Sequence, residues 1–328
     1  MTAQKERKVW TPKKQPSAQE LIDEVSEEET PAISEEDVKE LLLNCLESIF
    51  QSKGKLDLWQ VIVVDNASSD GSVEVVKSKY PQVELVENKT NLGFAAGNNV
   101  GIKYALENDA DYIGILNNDT LVDENFIEEL INVLEKDGNI GVAVPKIYFA
   151  KGFEFHKNKY KENELGRVIW YAGGEIDWKN VIGSHSGLDE VDKGQFDEDG
   201  ETQMATGCCF LVKKEVLEKV GLYDDRYFLY FEDADFSERV KKAGYKIMYE
   251  PKAIIWHKNA QSTGAGSNLQ TYFQTRNRLL FGLSYAPIRT KLALFRESLR
   301  LILVGRYWQK RGIMDFYLGR FGRGSFPL

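Results

Sequence analysis

Cysteine and histidine are scarce, with three of each in 328 residues. Three cysteines cannot build a disulfide framework, and a reducing compartment fits them better. Cys208 and Cys209 are neighbours, so on a strand their side chains point to opposite faces and cannot share a metal. They read as small buried apolar residues. No apolar run is long enough to cross a bilayer, and no stretch reads as a signal peptide, so the expected place is the cytoplasm, with any membrane contact peripheral and on the inner face. A cationic excess is lacking too: the net charge is −9, which argues against a nucleic-acid binder. No G-x-G-x-x-G follows an expected strand, which removes the main argument for a dinucleotide-binding dehydrogenase. There is no internal repeat.

What remains is an ordinary globular composition, 42% hydrophobic and 28% charged, long enough for one large α/β domain with an appendage. The charge is unevenly placed. From Gln261 to Leu328 there are eleven Lys and Arg against two Asp and Glu, so that end is basic and the rest of the chain is strongly acidic. A basic C-terminal segment fits an anionic membrane surface or a phosphorylated lipid, and it also fits a basic face that balances the acidic body. Its apolar residues Leu292, Leu294, Phe295, Leu299, Leu301, Ile302 and Leu303 alternate with Arg296, Arg300 and Arg306. An interfacial amphipathic helix, a helix packed on the main domain and a homodimer contact all have this pattern.

Residues 1–37 read as a charged tail or linker, with a short helix at Ala18–Val25. From Val38 the pattern changes: Val38, Leu41, Leu42, Cys45, Leu46 and Ile49 recur at helical spacing. Strands are expected at Trp59–Val64, Val83–Glu87, Tyr112–Leu116, Ile140–Pro145, Thr206–Val212, Lys246–Tyr249 and Ala253–Trp256. Helices are expected at Val73–Lys79, Asn98–Leu106, Phe126–Lys136, Glu215–Val220 and from Ala234 to Gly244. Residues 150–200 read as an irregular insertion with hairpins, suited to an acceptor surface. From Asn268 the chain reads helical, broken at Pro287. Such alternation predicts an α/β fold with a mostly parallel central sheet flanked by helices and a C-terminal helical extension. In that class ligands sit beyond the carboxyl ends of the strands, where the polar clusters Asp65–Asp70 and Asn117–Asp119 fall.

Three short segments carry chemistry. Asn117-Asn118-Asp119 follows an expected buried strand and suits a hard divalent cation carried on a diphosphate, although it also makes a good turn and helix cap. Glu232-Asp233-Ala234-Asp235 follows an aromatic run, so its carboxylates sit at a partly dry edge where one could act as a general base. They would equally complement a helix dipole, and Asp235 would pair with Arg239 one turn on. His257 lies just past a strand and fits either metal ligation or a structural role. His156 and His185 carry no signal.

In order and spacing, these segments resemble the inverting family 2 glycosyltransferases of the GT-A type, especially the rhamnosyltransferase-like branch. The residues that carry the resemblance are Val63-Val64-Asp65-Asn66-Ala67-Ser68-Ser69-Asp70-Gly71-Ser72, Asn91-Leu92-Gly93-Phe94-Ala95-Ala96-Gly97-Asn98-Asn99 and Leu116-Asn117-Asn118-Asp119. They continue through Thr206-Gly207-Cys208-Cys209, Gly221-Leu222-Tyr223-Asp224, Phe231-Glu232-Asp233-Ala234-Asp235 with Arg239, and Trp256-His257. The stretch covered runs from about Leu41 to Arg278.

The resemblance implies a division into a tail (1–37), a GT-A domain (38–263) and a basic helical region (264–328). It implies a nucleoside-diphosphate sugar donor of the UDP or dTDP type, a glycan or lipid-linked acceptor, and Mg²⁺ or Mn²⁺. Asp65 would recognise the base, and Asn91, Gly93 and Asn98 would line the nucleoside pocket. Asn117, Asn118 and Asp119 occupy the place of the family's acidic metal motif, with Asp119 and His257 as metal contacts. Asp233 would be the catalytic base. Arg276 and Arg278 would reach the diphosphate or serve as helix-surface charge.

The chain departs from the pattern at one place. The family opens with a hydrophobic strand directly before the helix at Leu41–Phe50. Here the preceding residues are Thr30-Pro31-Ala32-Ile33-Ser34-Glu35-Glu36-Asp37, which cannot be a central buried strand. Its loss would open a sheet edge and remove one wall of the site. Two readings follow: an active transferase, or a degenerate, non-catalytic module that binds nucleotide, glycan or a partner.

Overall fold

The computed structural model describes residues 35–52, 59–156, 159–258 and 267–327. The helix expected at Ala18–Val25, the segment Thr30–Ser34 and the boundary between residues 263 and 264 lie outside the described residues. The first described element, α1 (Glu35–Gln51), starts three residues before the expected change of pattern and buries Leu41, Cys45, Leu46 and Ile49 as one stripe.

The alternation expected of the next segment is present: β1 (Ile62–Asp65), α2 (Ser72–Lys79), β2 (Glu84–Glu87), α3 (Gly93–Glu107) and β3 (Tyr112–Leu116). Helix α3 begins at Gly93, five residues before the expected Asn98. Its first free amides find partners from outside the helix, because Phe94 and Ala95 donate to the carbonyl oxygen of Phe228 at 2.7 and 3.2 Å. There follow β4 (Thr120–Val122), α4 (Phe126–Glu135) and β5 (Ile140–Phe149). All ten residues of β5 are buried, as a strand covered on both faces requires.

The insertion contributes β6 (Ile169–Tyr171), β7 (Gly174–Asp177), β8 (Ile182–His185) and β9 (Gly200–Thr202), with β7 and β8 forming a hairpin. Then come β10 (Cys209–Lys213), α5 (Lys214–Val220), α6 (Glu232–Lys242) and β11 (Lys246–His257). The two strands expected between Lys246 and Trp256 are one, bent by a register shift between Glu250 and Ile254. Residues 206–208 turn before β10 instead of belonging to it. Helices α7 (Asn268–Tyr285), α8 (Ile288–Val304) and α9 (Tyr307–Tyr317) complete the chain.

The central sheet has seven strands in the order β3-β10-β5-β11-β4, with β6 added on β5 and β9 on β11. It is mixed, which corrects the expectation of a mostly parallel sheet. Strand β5 runs parallel to β11, whereas β10 returns from the insertion antiparallel to both β3 and β5, and β4 is antiparallel to β11. Strands β1 and β2 form a separate parallel pair. No described strand pairs with the other edge of β1 or with the outer edge of β3. The four residues of β1 are accordingly only half-buried.

Helix α3 holds the two sheets together. A Cβ on Gly101 would stand 2.9 Å from Cγ2 of Val64, so β1 lies directly on the helix. Ile102 and Ala105 of the same helix belong to the core that contains Ile113 and Ile115 of β3. On α1, Phe50 stacks on Tyr80, just past α2, with ring centroids 5.5 Å apart.

The C-terminal helices pack on a second core, where Leu279, Leu280, Phe281, Leu294 and Ile313 meet Ile176 and Val181 of the hairpin region and Ala234 of α6. All three cysteines are buried and free, and burial pushes the Cys45 thiol up to about 11.

Candidate functional site

Pairing of β4 with β11 sets Thr120 opposite His257. The residue before Thr120 therefore lies beside the imidazole, and Asp119 Oδ1 is 3.1 Å from His257 Nε2. The backbone fixes this arrangement from both sides. Asn117 N–H donates to Cys208 O at 2.9 Å, Lys258 N–H donates to Asp119 O at 2.8 Å, and Thr120 Oγ1 donates to Asn117 O at 2.7 Å. Trp170 of β6 covers the imidazole edge-to-face at 4.6 Å, which brings the insertion onto the site. His257 Nδ1 is buried and has no hydrogen-bond partner among the described residues.

A carboxylate oxygen and an imidazole nitrogen at this separation fit a divalent cation. Two ligands at right angles, each about 2.1 Å from a metal, are about 3.0 Å apart. Among the described residues no group of three His, Cys, Asp or Glu gathers at one point. Two protein ligands leave positions for water and phosphate oxygens, as Mg²⁺ and Mn²⁺ on a diphosphate require.

Asp233 stands in the first turn of α6. Its Oδ2 accepts from Gly207 N–H at 3.1 Å and its Oδ1 from Ala234 N–H at 2.8 Å. Desolvation pushes its carboxyl above the ordinary range, against the pull of those two amides. Glu232 is more deeply buried and is pushed well above its ordinary value, first by desolvation and then by the charge of Asp233. Asp235 does not face the site. It is buried against Arg239, whose Nε donates to it at 2.8 Å, and Tyr285 donates to it at 2.7 Å.

The turn before α6 is strained: Phe228, Tyr230 and Phe231 have φ of 64°, 69° and 74°. Asn277 of α7 holds it, its Nδ2 donating to the carbonyls of Tyr227, Leu229 and Tyr230 at 2.8, 2.8 and 2.9 Å. Arg276 is fully buried beside it and donates to Arg226 O at 3.1 Å, Tyr227 O at 3.0 Å and Gly322 O at 2.6 Å. This corrects the expectation for Arg276. With Nε also donating to Asn277 Oδ1 at 3.0 Å and Nη1 reaching Arg320 O at 3.5 Å, all five N–H groups are engaged and none is left for a diphosphate. Arg278 likewise pairs with Glu297 at 3.0 Å and not with the site.

At the end of β1, both carboxylate oxygens of Asp65 accept backbone N–H groups of its own loop, Oδ2 from Ala67 at 3.1 Å and Oδ1 from Ser68 at 3.2 Å. Asn66 ties this loop to the next, its Nδ2 donating to Gly93 O at 3.0 Å. Asn91 Oδ1 accepts from Gly93 N–H at 2.9 Å. Asn98 is half-buried and spends its amide on Phe94 O, one turn back in its own helix, at 2.9 Å. Gly93 has φ of +82°, and a Cβ there would lie 2.5 Å from the Phe228 ring. Asn118 is exposed at the turn, between two half-buried residues.

One continuous path therefore joins the expected residues: Asp65, Asn66, Gly93, Phe228, the strained turn, Asp233, Gly207-Cys208, Asn117-Asp119 and His257. Arg276 supports that path from behind. Sequence reasoning missed Asn277, a single amide in a helical stretch with no flanking signal. Gly207 and Asn66 were inside quoted motifs, but their connecting roles were not legible.

A model of glycosyl transferase family 2 matches residues 30–221. The chain is 26% identical over 212 residues to an N-acetylglucosaminyl-diphospho-decaprenol L-rhamnosyltransferase of Mycobacterium tuberculosis, covering 62% of this chain and 68% of that protein. It is 24% identical over 223 residues to the low-salt glycan biosynthesis hexosyltransferase Agl10 of Haloferax volcanii, covering 67% and 66%. Among solved structures, GalNAc-T7 with UDP, GalNAc and Mn²⁺ superposes with a TM-score of 0.57 at 15% identity, over 85% of this chain and 53% of that one. Residues 1–349 of Staphylococcus aureus TarS superpose with a TM-score of 0.51 at 11% identity, over 85% and 75%.

Proposed function

We propose, for a chain that belongs to glycosyl transferase family 2 and has the GT-A fold, that it moves a sugar from a UDP or dTDP donor to a hydroxyl of a glycan or lipid-linked acceptor, with inversion. The proposed place of action is the cytoplasmic face of a membrane. The observation that carries the reading is the meeting of two elements on one dipeptide. Gly207 N–H binds the Asp233 carboxylate, and Cys208 O receives Asn117 N–H from the Asp119 turn. In this reading the base and the turn that carries the cation ligand Asp119 meet on the same short segment.

In this reading Asp65, Asn91, Gly93 and Asn98 line the nucleoside pocket, and Asn117, Asn118 and Asp119 face the diphosphate. Asp119 and His257 would hold a divalent cation, which offsets charge on the departing phosphate. Asp233 accepts the proton of the acceptor hydroxyl. The acceptor oxygen bonds to the anomeric carbon from the side opposite the diphosphate, whose oxygen leaves with the bonding electron pair. One displacement inverts the centre. Trp170, resting on His257, belongs to the insertion that would offer the acceptor surface.

The alternative, a nucleotide- or partner-binding module without turnover, draws on the edges of β1 and β3 with which no described strand pairs. Calorimetric titration with UDP and dTDP, each with and without Mn²⁺ or Mg²⁺, followed by donor-hydrolysis assays, tests both. Metal-dependent binding with turnover that Asp233→Asn removes supports the transferase. Binding without turnover supports the module.

A further inference from the structure

Helix α8 carries an apolar stripe on its outer side. Ile288, Leu292, Phe295, Leu299 and Leu303 are 70, 58, 46, 48 and 77% exposed. Their spacings of four, three, four and four residues keep them on one face at 3.6 residues per turn. The helix is anchored from the other side, where Leu294 and Ser298 are buried and Leu294 presses against Gly282 of α7. Tyr307, just past the helix end, is 65% exposed. An apolar stripe of this length, rimmed by polar groups, is unusual on a globular surface and marks a contact.

The charges beside the stripe select the partner. Between residues 287 and 311 there are seven Lys and Arg and a single acid, Glu297. Glu297 lies on the inner side, paired with Arg278. Arg289, Arg296 and Arg300 run along one flank of the stripe and Lys291 lies on the other, with the three arginines exposed. Long cationic side chains lay their stems along apolar surface while their heads reach outward, which suits a phosphate layer above acyl chains. A second copy placed stripe to stripe would bring cation rows against cation rows, with no acid on either face to offset them. No described helix is long and apolar enough to cross a membrane.

We propose that α8 is an in-plane docking helix for an anionic lipid bilayer, with the stripe from Ile288 to Leu303 set among the acyl chains and the arginine flank on the headgroups. This goes beyond the transfer reaction and does not depend on it. The docked helix shares the Arg278–Glu297 pair with α7, and α7 carries the Asn277 amide that holds the Asp233 turn. The active-site mouth is thereby fixed in orientation relative to the bilayer.

The test is co-sedimentation of the full chain with phosphatidylcholine vesicles and with vesicles of phosphatidylcholine and phosphatidylglycerol. The expected result is partition onto the phosphatidylglycerol vesicles, weakened by salt. Leu292→Asp with Leu299→Asp should lower it about tenfold or more per leucine, and Arg296→Glu with Arg300→Glu should remove the preference for anionic lipid. These side chains are exposed, so the fold is checked by thermal melting and should be unchanged. No partition of the parent chain, equal partition of the leucine variant, or a concentration-dependent dimer that the leucine substitutions dissolve would each overturn the proposal.

Discussion

The side-chain amide of Asn277 lies 2.8 Å from the carbonyl oxygen of Tyr227, and the same nitrogen also serves Leu229 and Tyr230. One residue of a C-terminal helix thus stabilises the left-handed backbone that aims Asp233. Asn277→Ala strands three carbonyls of a largely buried turn. The amide has two N–H groups shared among these carbonyls, so at about 1 kcal/mol per hydrogen bond the expected loss is about 2 kcal/mol by denaturant melt. If transfer is measured on the folded fraction, kcat should fall more than the donor KM rises, because Asn277 reaches the Gly93 loop only indirectly, through Phe228.

Asp119→Ala and His257→Ala should each weaken metal-dependent nucleotide binding roughly tenfold or more, and the pair should be no worse than the product of the two. Titration of UDP or dTDP against rising Mn²⁺ measures this. Metal-independent binding with the parent affinity would remove both residues from the cation site.

A base with a raised pKa moves the acid limb of the rate profile upward. Transfer by the parent should therefore fall off above the ordinary aspartate value of about 3.9 as pH is lowered. Asp233→Asn should cost about a hundredfold or more in kcat and leave no such limb. The linkage has the opposite sign for stability. Folded Glu232 and Asp233 bind protons more readily than the unfolded chain does, so they cost stability as pH rises through the ordinary carboxylate range toward their raised values. Asp233→Asn should accordingly melt higher than the parent at neutral pH while losing turnover, an outcome that a merely structural carboxylate would not give.

Gly93→Ala forces a side chain into the left-handed region and toward a ring 2.5 Å away. Both effects destabilise, together by about 1–3 kcal/mol. The turn should shift away from Phe228, and nucleotide affinity should drop with it. Wild-type affinity in this variant would separate the Asn91–Gly93 turn from the donor pocket.

Much of this arrangement was legible before the fold was known, for reasons that differ by residue. Strand β3 was read with its observed bounds because an apolar run between polar turns has one buried solution. Asp119 and His257 stood out as polar residues just past apolar strands, whereas Asp233 follows an aromatic run that is a left-handed turn and not a strand, and the roles expected of all three came from the family resemblance. The mixed sheet was not legible, since strand direction depends on the long return through residues 150–200 and not on any local period. Arg276 was misjudged because charge alone does not say whether a side chain faces solvent, phosphate or backbone. Only tertiary packing put four backbone carbonyls around it. The left-handed turn at Phe228, Tyr230 and Phe231 had no signal at all, because aromatic residues seldom adopt that backbone and no glycine marks it.

The separation of β1 and β2 from the main sheet would give a bound nucleotide a mechanical part to play. Asp65 belongs to the small ribbon and Asp119 to the large sheet, and among the described residues no backbone ladder joins the two. A ligand held at both ends would act as a tie across that seam. At a hundred times its Kd it would add about 2.7 kcal/mol to the folded state. Without it, the amides of β1 and β2 should exchange with solvent through a partial opening that leaves β5 and β11 closed. The bound donor would then be a substrate and also a removable strut of the fold.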